Sequence, residues 1–473
     1  MKKIALHNLG CKVNSYEIEV MQQKLQEKGY VIVDFDNVAD IYIVNTCTVT
    51  NIADRKSRQM LHRAKQMNPE AIVVAVGCYV QTGQENIEKD EAIDLAIGNN
   101  RKKDIVEILE AFLAEKKAVP STQNESEPAV ADKTLHGTTI PDINHTYDYE
   151  EMQLKQTAEH TRAYIKIQDG CNQFCSYCAI PLARGRVRSR RAEDILDEIR
   201  GMVAAGYKEV VLTGIHISSY GIDFEEDAWT RGESVKLQNG ERSLYTGNSK
   251  LVDLTEKICA IEGLERVRIG SLEPRVVTEE AARRLAALPK ICPHFHLSLQ
   301  SGCDATLQRM NRHYTAGEYY ASVEYLRKYF ENPAITTDVI VGFPGETEEE
   351  FEVTRQFLEK VCFYEMHIFK YSKRAGTRAA VMPDQIPEKE KQKRSGILQE
   401  MEHRHSVAFR NRYIGHTVEV LLEEEREVNG TKYRIGHTRD YVKVAVPVTN
   451  ETPGANSLIN VKISGFLTDE ILM

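Results

Sequence analysis

Short apolar runs alternate with amphipathic helical patterns through the first part of the chain. Residues 3–7, 41–44 and 71–76 read as buried strands, and residues 15–28 and 53–66 show helical periodicity. Strands that alternate with helices predict a parallel sheet covered on both faces. The pattern therefore predicts an N-terminal α/β domain at residues 1–116.

The same alternation repeats six times in the middle of the chain, at residues 157–386. Helical patterns such as residues 192–205 and 347–360 separate strands predicted at residues 163–168, 209–213, 266–270, 294–300, 335–341 and 365–369. Six consecutive β/α units predict an open or partial (β/α)6 barrel, with functional groups at the carboxyl ends of its strands. Two polar segments without periodicity read as a linker (residues 117–156) and as an insertion loop (residues 222–250).

The periodicity changes after a charged helix predicted at residues 387–411. Short strands follow at residues 417–422, 432–435, 442–446 and 459–463, separated by Asn-Gly, Arg-Asp and Pro-Gly turns. This pattern predicts a small antiparallel β-barrel or sandwich at residues 412–473. Modules of this kind contact RNA in other proteins, and a purely structural cap is the alternative.

Composition and charge narrow the functional classes. The 473-residue chain has a net charge of −9, so contact with nucleic acid requires a local basic patch. It has no apolar run of the roughly 18 residues that a membrane span needs, and its N-terminus lacks the apolar core of a signal peptide. Ten cysteines without an export signal indicate a reducing compartment. We expect a cytoplasmic protein with no membrane partner.

Three cysteines lie directly after the first predicted strand of the barrel. Cys171, Cys175 and Cys178 are close enough in sequence to bind one small inorganic group. Because a fourth cysteine is missing nearby, a four-iron cluster here would keep one iron open to bind and reduce a small molecule. A disulfide with a spare thiol and a three-thiolate zinc site are the alternatives.

A second set of three cysteines belongs to the N-terminal domain. Cys11, Cys47 and Cys78 each follow one of the predicted strands. The carboxyl ends of parallel strands share one edge of the sheet, so these thiols can meet despite their separation in sequence. The pattern favours a second cluster, again with one open iron, over three inert buried thiols.

Polar and glycine-containing segments follow the other barrel strands. They are Thr213-Gly214, Ser271 with Glu273, Gln300-Ser301 and Gly342-Phe343. Each alone is equally typical of a turn, but their shared position favours a cofactor site.

A dense run of arginines follows the Cys171 motif. Residues 183–191 contain five arginines, and the guanidinium group suits bidentate contact with phosphate. We expect Arg184, Arg186 and Arg188 to bind a polyanion, with a solvated charged face as the alternative.

These motifs resemble one known family across nearly the whole chain. Residues 9–14 (LGCKVN), 45–49 (NTCTV) and 77–79 (GCY) resemble the N-terminal domain of radical S-adenosylmethionine (SAM) methylthiotransferases. Residues 168–190 resemble their radical SAM domain, and the chain from residue 417 onward resembles their RNA-binding TRAM module. Residues 180–186 (IPLARGR), 212–216 (LTGIH) and 295–302 (FHLSLQSG) are most similar to the branch acting on threonylcarbamoyladenosine in tRNA.

The resemblance implies a reaction that uses two [4Fe-4S] clusters and SAM in two roles. The cluster at Cys171, Cys175 and Cys178 would cleave SAM to a 5′-deoxyadenosyl radical, which removes hydrogen from C2 of the modified adenine. The cluster at Cys11, Cys47 and Cys78 would hold a sulfide that a second SAM methylates before its transfer to C2. The implied product is the methylthio form of threonylcarbamoyladenosine at position 37, next to the anticodon.

The resemblance also implies contacts and partners. By analogy, the SAM-binding residues would be Tyr177, Thr213, Gly214, Ser271, Glu273, Gln300, Gly342 and Phe343. The three arginines would hold phosphates of the anticodon loop, where a base can be splayed into a pocket. An electron donor such as flavodoxin or ferredoxin and a sulfur source complete the implied partners.

Other activities fit parts of the pattern. Sister branches of the family modify isopentenyladenosine in tRNA or an aspartate of a ribosomal protein. A redox or scaffold protein would hold both clusters and bind RNA without chemistry. A radical SAM methyltransferase without sulfur insertion would leave the N-terminal cysteines without a purpose.

Overall fold

The computed structural model describes residues 2–118, 138–156, 161–224 and 249–473. Much of the predicted linker (residues 119–137) and most of the predicted insertion loop (residues 225–248) lie outside the described residues. Within the described ranges, no helix combines the length and the apolar character needed to cross a membrane.

The N-terminal domain is a parallel sheet of five strands in the order β2-β1-β3-β4-β5. The strands are β1 (Lys3–Asn8), β2 (Val31–Val33), β3 (Ile41–Thr46), β4 (Ile72–Gly77) and β5 (Leu95–Ile97). The helices are α1 (Lys12–Glu27), α2 (Asn51–Met67), α3 (Cys78–Thr82), α4 (Gln84–Glu88) and α5 (Ile105–Ala118). Every residue of β3 and β4 is buried, as expected of apolar strands covered on both faces. The predicted parallel sheet is confirmed.

The central domain is a partial barrel of six parallel strands, as predicted. Its strands are β6 (Ala163–Asp169), β8 (Glu209–Gly214), β9 (Arg266–Ile269), β10 (His294–His296), β11 (Ala334–Val341) and β12 (Glu365–Lys370), with β7 (Arg188–Ser189) antiparallel to β6. Its helices are α6 (Ile180–Arg184), α7 (Ala192–Ala204), α8 (Lys250–Cys259), α9 (Glu279–Ala286), α10 (Asp304–Arg309), α11 (Ala316–Tyr329) and α12 (Glu348–Val361). Local sequence explains two of the helix starts, because Thr315 with Glu318 and Thr347 with Glu350 form capping boxes.

The barrel wall is made of two ladders joined at β9 and β10. Strands β6, β8 and β9 form one ladder, and β10, β11 and β12 form the other. The backbone N–H of Leu272 donates to the carbonyl of His296 (2.8 Å), and that of Ser298 donates to the carbonyl of Leu272 (3.0 Å). The strand predicted at residues 294–300 is shorter in the structure, since regular pairing ends at His296 and only single bridges follow at Leu297 and at Gln300, whose φ is +74°.

The N-terminal domain and the barrel share one hydrophobic core. The hydroxyl of Tyr16 on α1 lies 2.5 Å from the carbonyl oxygen of Met152 and 3.0 Å from a carboxylate oxygen of Glu198 on α7. Met152 and Leu154 are buried in this core. Part of the predicted linker, within residues 138–156, is therefore packed between the two domains.

The C-terminal module follows helix α13 (Glu388–Asn411), which packs against β12. Its strands are β13 (Thr417–Val428), β14 (Thr431–Thr438), β15 (Lys443–Pro447), β16 (Leu458–Lys462), β17 (Phe466–Thr468) and β18 (Ile471–Leu472). They form one sheet in the order β16-β13-β14-β15-β18-β17. The predicted antiparallel sheet is confirmed except at β15 and β18, which pair in parallel.

Tyr441, between β14 and β15, docks the C-terminal module on the amino-terminal end of the barrel. Its ring has Arg162 at 4.9 Å and Arg268 at 4.7 Å, both measured from the guanidinium carbon to the ring centroid. The rings of His437 and His294 lie 4.6 Å and 4.9 Å from the same ring. These cation–π and ring contacts hold the module against the barrel.

Candidate functional site

The first candidate site lies at the carboxyl edge of the N-terminal sheet. Cys11 begins the turn into α1, Cys47 follows β3, and Cys78 is the first residue of α3 after β4. Gly10 allows the close approach, since a Cβ atom there would lie 3.0 Å from the Sγ of Cys47. Burial, with Cys78 and Cys11 nearby, raises the pKa of the Cys47 thiol to about 11. The structure thus brings together three thiols that are distant in sequence.

The second candidate site is the loop after β6. Gly170 has a φ of +70°, and a Cβ atom on it would lie 1.7 Å from the carbonyl oxygen of Arg186, so only glycine fits. The loop closes with a hydrogen bond of 3.0 Å from the backbone N–H of Cys171 to the carbonyl of Gly185. Burial and the neighbouring Cys175 raise the pKa of the Cys178 thiol to about 12.

Polar N–H groups surround the sulfurs of both triplets. At the first site, Asn99 Nδ2 donates to Cys78 Sγ over 3.6 Å. At the second, the backbone N–H of Gln173 donates to Cys171 Sγ over 3.5 Å, and Arg312 Nη1 donates to Cys175 Sγ over 3.1 Å. N–H groups directed at thiolate sulfur are typical of iron–sulfur sites, where they stabilise the anionic cluster.

The spacing of the sulfurs separates a cluster from a single zinc ion. Three thiolates on one tetrahedral zinc lie only about 3.8 Å apart, given a Zn–S bond of about 2.3 Å. Among the described residues, the group whose metal-ligating atoms all lie within 4.8 Å of one another is His296, Asp338 and His367, and neither cysteine triplet meets that limit. All ten cysteines are free thiols. The sulfurs of each triplet are therefore spaced more widely than a single zinc ion requires, and three free thiols suit a larger group such as an open iron–sulfur cluster.

The two sites meet where α3 packs on α6. Cys78 begins α3, and α6 follows Cys178 directly and ends at Arg184. The Nε of Arg184 donates to Cys78 Sγ over 3.3 Å, and Asn99 Nδ2 donates to the carbonyl of Ala183 over 2.6 Å. Helix α6, which follows the second candidate site, therefore supplies a hydrogen bond to a cysteine of the first candidate site.

Arg184 is the centre of a buried ionic network. Its Nη1 lies 2.6 Å from Glu17 Oε1 and 3.2 Å from Asp169 Oδ2. Lys166 bridges the same two carboxylates at 2.7 Å each, and Lys102 also pairs with Glu17. These five side chains are at most 1% exposed. The network joins α1 of the N-terminal domain to β6 and α6 of the barrel.

The pKa values of the two acids reflect this pairing. Although burial raises it, the charges of Arg184, Lys102 and Lys166 lower the pKa of Glu17 well below its ordinary value. The pKa of Asp169 is lowered in the same way by Lys166 and Arg184. Both carboxylates are therefore charged at neutral pH and hold the cations in place.

The prediction that Arg184 and Arg188 contact RNA phosphates is wrong. Both side chains are completely buried. The Nη2 of Arg188 donates to the carbonyl of Arg184 over 2.9 Å and lies 3.7 Å from Asp169. The acids that neutralise these arginines come from elsewhere in the chain, which the local run of arginines does not reveal. Arg186 is partly exposed, with its guanidinium 4.5 Å from the centre of the exposed Phe174 ring.

The predicted SAM-binding residues share the carboxyl end of the barrel. Thr213 and Gly214 end β8, Glu273 and the exposed Ser271 follow β9, and Gly342 and Phe343 follow β11. Tyr177 packs against Phe343 at a ring distance of 6.4 Å, which places the cysteine loop beside that strand end. The Phe343 side chain is buried, so a ligand would reach only the backbone there. Gln300 lies between β10 and β11 with its strained positive φ.

Glu273 is the most strongly held of these residues. It accepts from His216 Nε2 at 3.0 Å and from Arg275 Nε at 2.8 Å. Although burial raises it, the hydrogen bond and charge of His216, with Arg312 and Arg275, lower the pKa of Glu273 to about 2. The carboxylate is a fixed negative charge beside the cysteine loop.

Sequence reasoning did not identify Asn99, Arg312 or Glu17. Asn99 follows β5, a three-residue strand too short to predict from periodicity. Arg312 lies in a polar stretch and Glu17 in the first predicted helix, and no local signal marks either charged side chain as buried. Asp169, in contrast, directly precedes Gly170 in the recognised motif.

Comparison with known proteins agrees with this geometry. Residues 165–358 match the Radical SAM superfamily, and residues 3–98 match the Uncharacterized protein family UPF0004. The fold is similar to a radical SAM methyltransferase from Kitasatospora setae with cobalamin and a [4Fe-4S] cluster bound. The TM-score is 0.55 at 16% identity, covering 80% of this chain and 74% of that one. The class is therefore a radical SAM protein.

Curated relatives identify the family more narrowly. A threonylcarbamoyladenosine tRNA methylthiotransferase from Bacillus subtilis (strain 168) is 36% identical over 98% of this chain and 94% of its own length. A tRNA-2-methylthio-N(6)-dimethylallyladenosine synthase from Methylacidiphilum infernorum (isolate V4) is 32% identical over 94% and 89%. The chain belongs to the radical SAM methylthiotransferase family and is a radical SAM transferase. Membership of this family implies SAM and a [4Fe-4S] cluster as cofactors.

Proposed function

We propose that this chain adds a methylthio group to C2 of N6-threonylcarbamoyladenosine at position 37 of tRNA. The observation that carries the proposal is that the segments bearing the two cysteine triplets are in contact, since α3 packs on α6 and Arg184 donates to Cys78. A methylthiotransferase needs one site that creates a carbon radical and another that holds the sulfur to be transferred. The relatives named for threonylcarbamoyladenosine support the choice of base, at 34% to 36% identity against 32% to 34% for the dimethylallyladenosine synthases.

Two cofactor positions follow from the thiols. Cys171, Cys175 and Cys178 would hold the SAM-binding cluster, and the N-terminal triplet would hold the auxiliary cluster. When bound, these groups and SAM supply radical formation and a methylated sulfide. The chain's own part is to hold both sites in one rigid unit, because Arg184 donates to Cys78 from the helix that follows Cys178.

The strand ends beside the cysteine loop would bind SAM. We assign contacts to Tyr177, Ser271, Glu273 and Gln300 and to the backbone at Thr213-Gly214 and Gly342-Phe343. Glu273 offers a permanent negative charge, which suits the cationic groups of SAM. A Cβ at Gly342 would lie 2.3 Å from Lys391 Cγ, so this turn requires glycine.

Contact with tRNA would involve the cysteine loop and the C-terminal module. Arg186 and Phe174 form an accessible cation–π pair beside the cysteines, and arginine and phenylalanine both stack on unpaired bases. The C-terminal sheet would bind RNA as a TRAM-like module. We place the reaction in the cytoplasm, with flavodoxin or ferredoxin as electron donor and a separate sulfur source.

The test compares wild type with Cys47→Ala. Nucleosides are analysed by mass spectrometry from tRNA of a host that lacks its own methylthiotransferases. Wild type is expected to yield methylthio-threonylcarbamoyladenosine. Purified Cys47→Ala is expected to form 5′-deoxyadenosine at an unchanged rate without methylthio product, and to hold about four fewer irons.

Two outcomes would contradict the proposal. If wild type forms its methylthio product on isopentenyladenosine, the proposed chemistry stands and the proposed substrate is wrong. Full product formation by Cys47→Ala would refute the division of labour between the two sites. Cys259→Ala, at a buried cysteine outside both triplets, is the matched control and should behave as wild type.

A further inference from the structure

Three polar side chains form a row across the inner wall of the barrel. In the parallel ladders, His296 pairs with Thr336, and Asp338 pairs with His367. The Nε2 of His296 lies 3.3 Å from Oδ2 of Asp338, and the imidazole rings of His296 and His367 are 5.8 Å apart. One nitrogen or oxygen atom of each residue lies within 4.8 Å of the others.

The alternation of the strands sets the direction of this row. Phe295, Val339 and Met366, each next to one member of the row, are buried in the main hydrophobic core. Successive side chains of a strand point to opposite faces, so the row points into the barrel lumen. His296 is 13% and Asp338 is 29% exposed, and His367 is more exposed still. A ligand inside the lumen can therefore reach all three.

The row lies deeper in the lumen than the predicted SAM site. Asp338 precedes Gly342 on β11 by four residues, or about 13 Å along an extended strand. The row is therefore too far from the strand ends to ligate a cluster there. C2 and N6 of adenine share one edge of the base, so a base with C2 toward the clusters can extend its N6 substituent along this wall.

We propose that His296, Asp338 and His367 bind the threonylcarbamoyl group of the substrate base, an inference that rests on the proposed function. The group carries a carboxylate, a hydroxyl and urea N–H groups. The imidazoles donate to the carboxylate, and Asp338 accepts from the hydroxyl or an N–H. Thr336 Oγ1, 3.0 Å from Nδ1 of His296, holds this ring so that its Nε2 faces the lumen row.

The same row disfavours a hydrocarbon substituent. A dimethylallyl group offers no hydrogen bond, so it would displace water from the His296–Asp338 pair and from His367 without supplying a hydrogen-bonding group in its place. Sites built for a polar substituent reject the apolar analogue strongly for this reason. The row is thus a specificity determinant between the two classes of modified adenosine.

The experiment measures binding of two anticodon stem-loop RNAs to the cluster-loaded, full-length enzyme without SAM. One RNA carries threonylcarbamoyladenosine at position 37, and the other carries dimethylallyladenosine. Wild type is expected to prefer the first. His367→Ala is expected to reduce that preference about ten- to hundredfold, the range for a lost charged hydrogen bond. His367→Gln keeps an N–H donor and should therefore retain part of the preference for threonylcarbamoyladenosine.

Phe369→Ala is the matched control, because Phe369 lies two residues along β12 on the same face and is exposed. It should keep the preference, and all variants should keep wild-type iron content. If wild type prefers threonylcarbamoyladenosine and His367→Ala does so equally, this inference fails while the proposed function stands. If wild type shows no preference for threonylcarbamoyladenosine, this inference fails, and a preference for dimethylallyladenosine contradicts the proposed function as well.

A divalent metal is the competing occupant, because two imidazoles and a carboxylate also bind such ions. Elemental analysis of the same preparations distinguishes a metal site from a site for the threonylcarbamoyl group. One equivalent of zinc, cobalt or manganese in wild type and Phe369→Ala, lost in His367→Ala, would overturn the proposal. Metal content unchanged by His367→Ala, with the RNA preference lost, supports it.

Discussion

Replacing Arg184 with methionine tests the buried network directly. The change keeps a long side chain and removes a guanidinium that contacts Glu17, Asp169, Asn14 and Cys78. Removing one partner of a buried ion pair costs about 3 to 5 kcal/mol, because the other charge stays buried. Lys102 and Lys166 would still pair with the two carboxylates. We therefore expect the lower end, about 3 kcal/mol.

Hydrogen-exchange mass spectrometry measures this cost at the interface itself. Peptides from α1 and β6 should exchange about 100-fold faster in Arg184→Met, since each 1.4 kcal/mol is a tenfold change in an equilibrium constant. The cluster-free protein is used, so that loss of a cofactor does not contribute. Arg184→Lys keeps a charge but not the forked contacts, and it should lie between wild type and Arg184→Met.

Arg186→Met is the control, because Arg186 is partly exposed and contacts the Phe174 ring. Its loss is worth at most about 1 kcal/mol. Exchange in α1 and β6 that is equal for Arg184→Met and Arg186→Met would refute the view that Arg184 holds the domains together.

A separate consequence concerns the reconstituted enzyme. The reduction potential of the auxiliary cluster should fall when the N–H donor to Cys78 is removed.

Two further predictions concern the Cys171 loop and its neighbour Glu273. Gly170→Ala should lose about four irons and all SAM cleavage, measured by iron analysis and 5′-deoxyadenosine release, because its Cβ would overlap the carbonyl of Arg186. Gly201→Ala, in a helix with open space around it, should keep both. The pKa of Glu273 is lowered to about 2, so its contribution to stability is present above its ordinary pKa of 4.5 and disappears as the pH falls toward 2. In urea unfolding of cluster-free protein, wild type should exceed Glu273→Gln by about 3 kcal/mol at pH 7 and by progressively less below pH 4.5; a constant difference would contradict the assignment.

Periodicity predicted the strands that are long and continuously apolar. Strands β3, β4, β6, β8 and β11 each lie within a few residues of the predicted ranges. Strands β2 and β5 have three residues each and cannot show a period. The early end of β10 also escaped prediction, because no glycine or proline at residues 297–300 marks it. Only the strands long enough to show a period could therefore be predicted from the sequence.

The cysteines were predictable for a different reason. Parallel strands place their carboxyl ends at one edge, so the position of a cysteine after a strand already determines its neighbourhood. No such rule links Glu17 on α1 to the arginines after Cys178. Their meeting depends on how two domains dock, which is a property of the packed core shared by α1, β6 and α7. Charge patterns report local composition, and burial depends on contacts that are distant in sequence.

The arginine run shows what this difference means for function. Its residues do bind anions, but for Arg184 and Arg188 the anions belong to the protein. Four buried cations, Lys102, Lys166, Arg184 and Arg188, face the carboxylates of Glu17 and Asp169, and the buried carboxylate of Glu150 lies near Lys166 and Lys102, which leaves one positive charge in excess. Such an excess is costly in a dry interior unless another anion is close. The Sγ of Cys78 lies 3.3 Å from Arg184 Nε, so thiolates at the N-terminal triplet would supply that anion. The network and the auxiliary site therefore stabilise each other, and neither is complete before the N-terminal domain docks on the barrel.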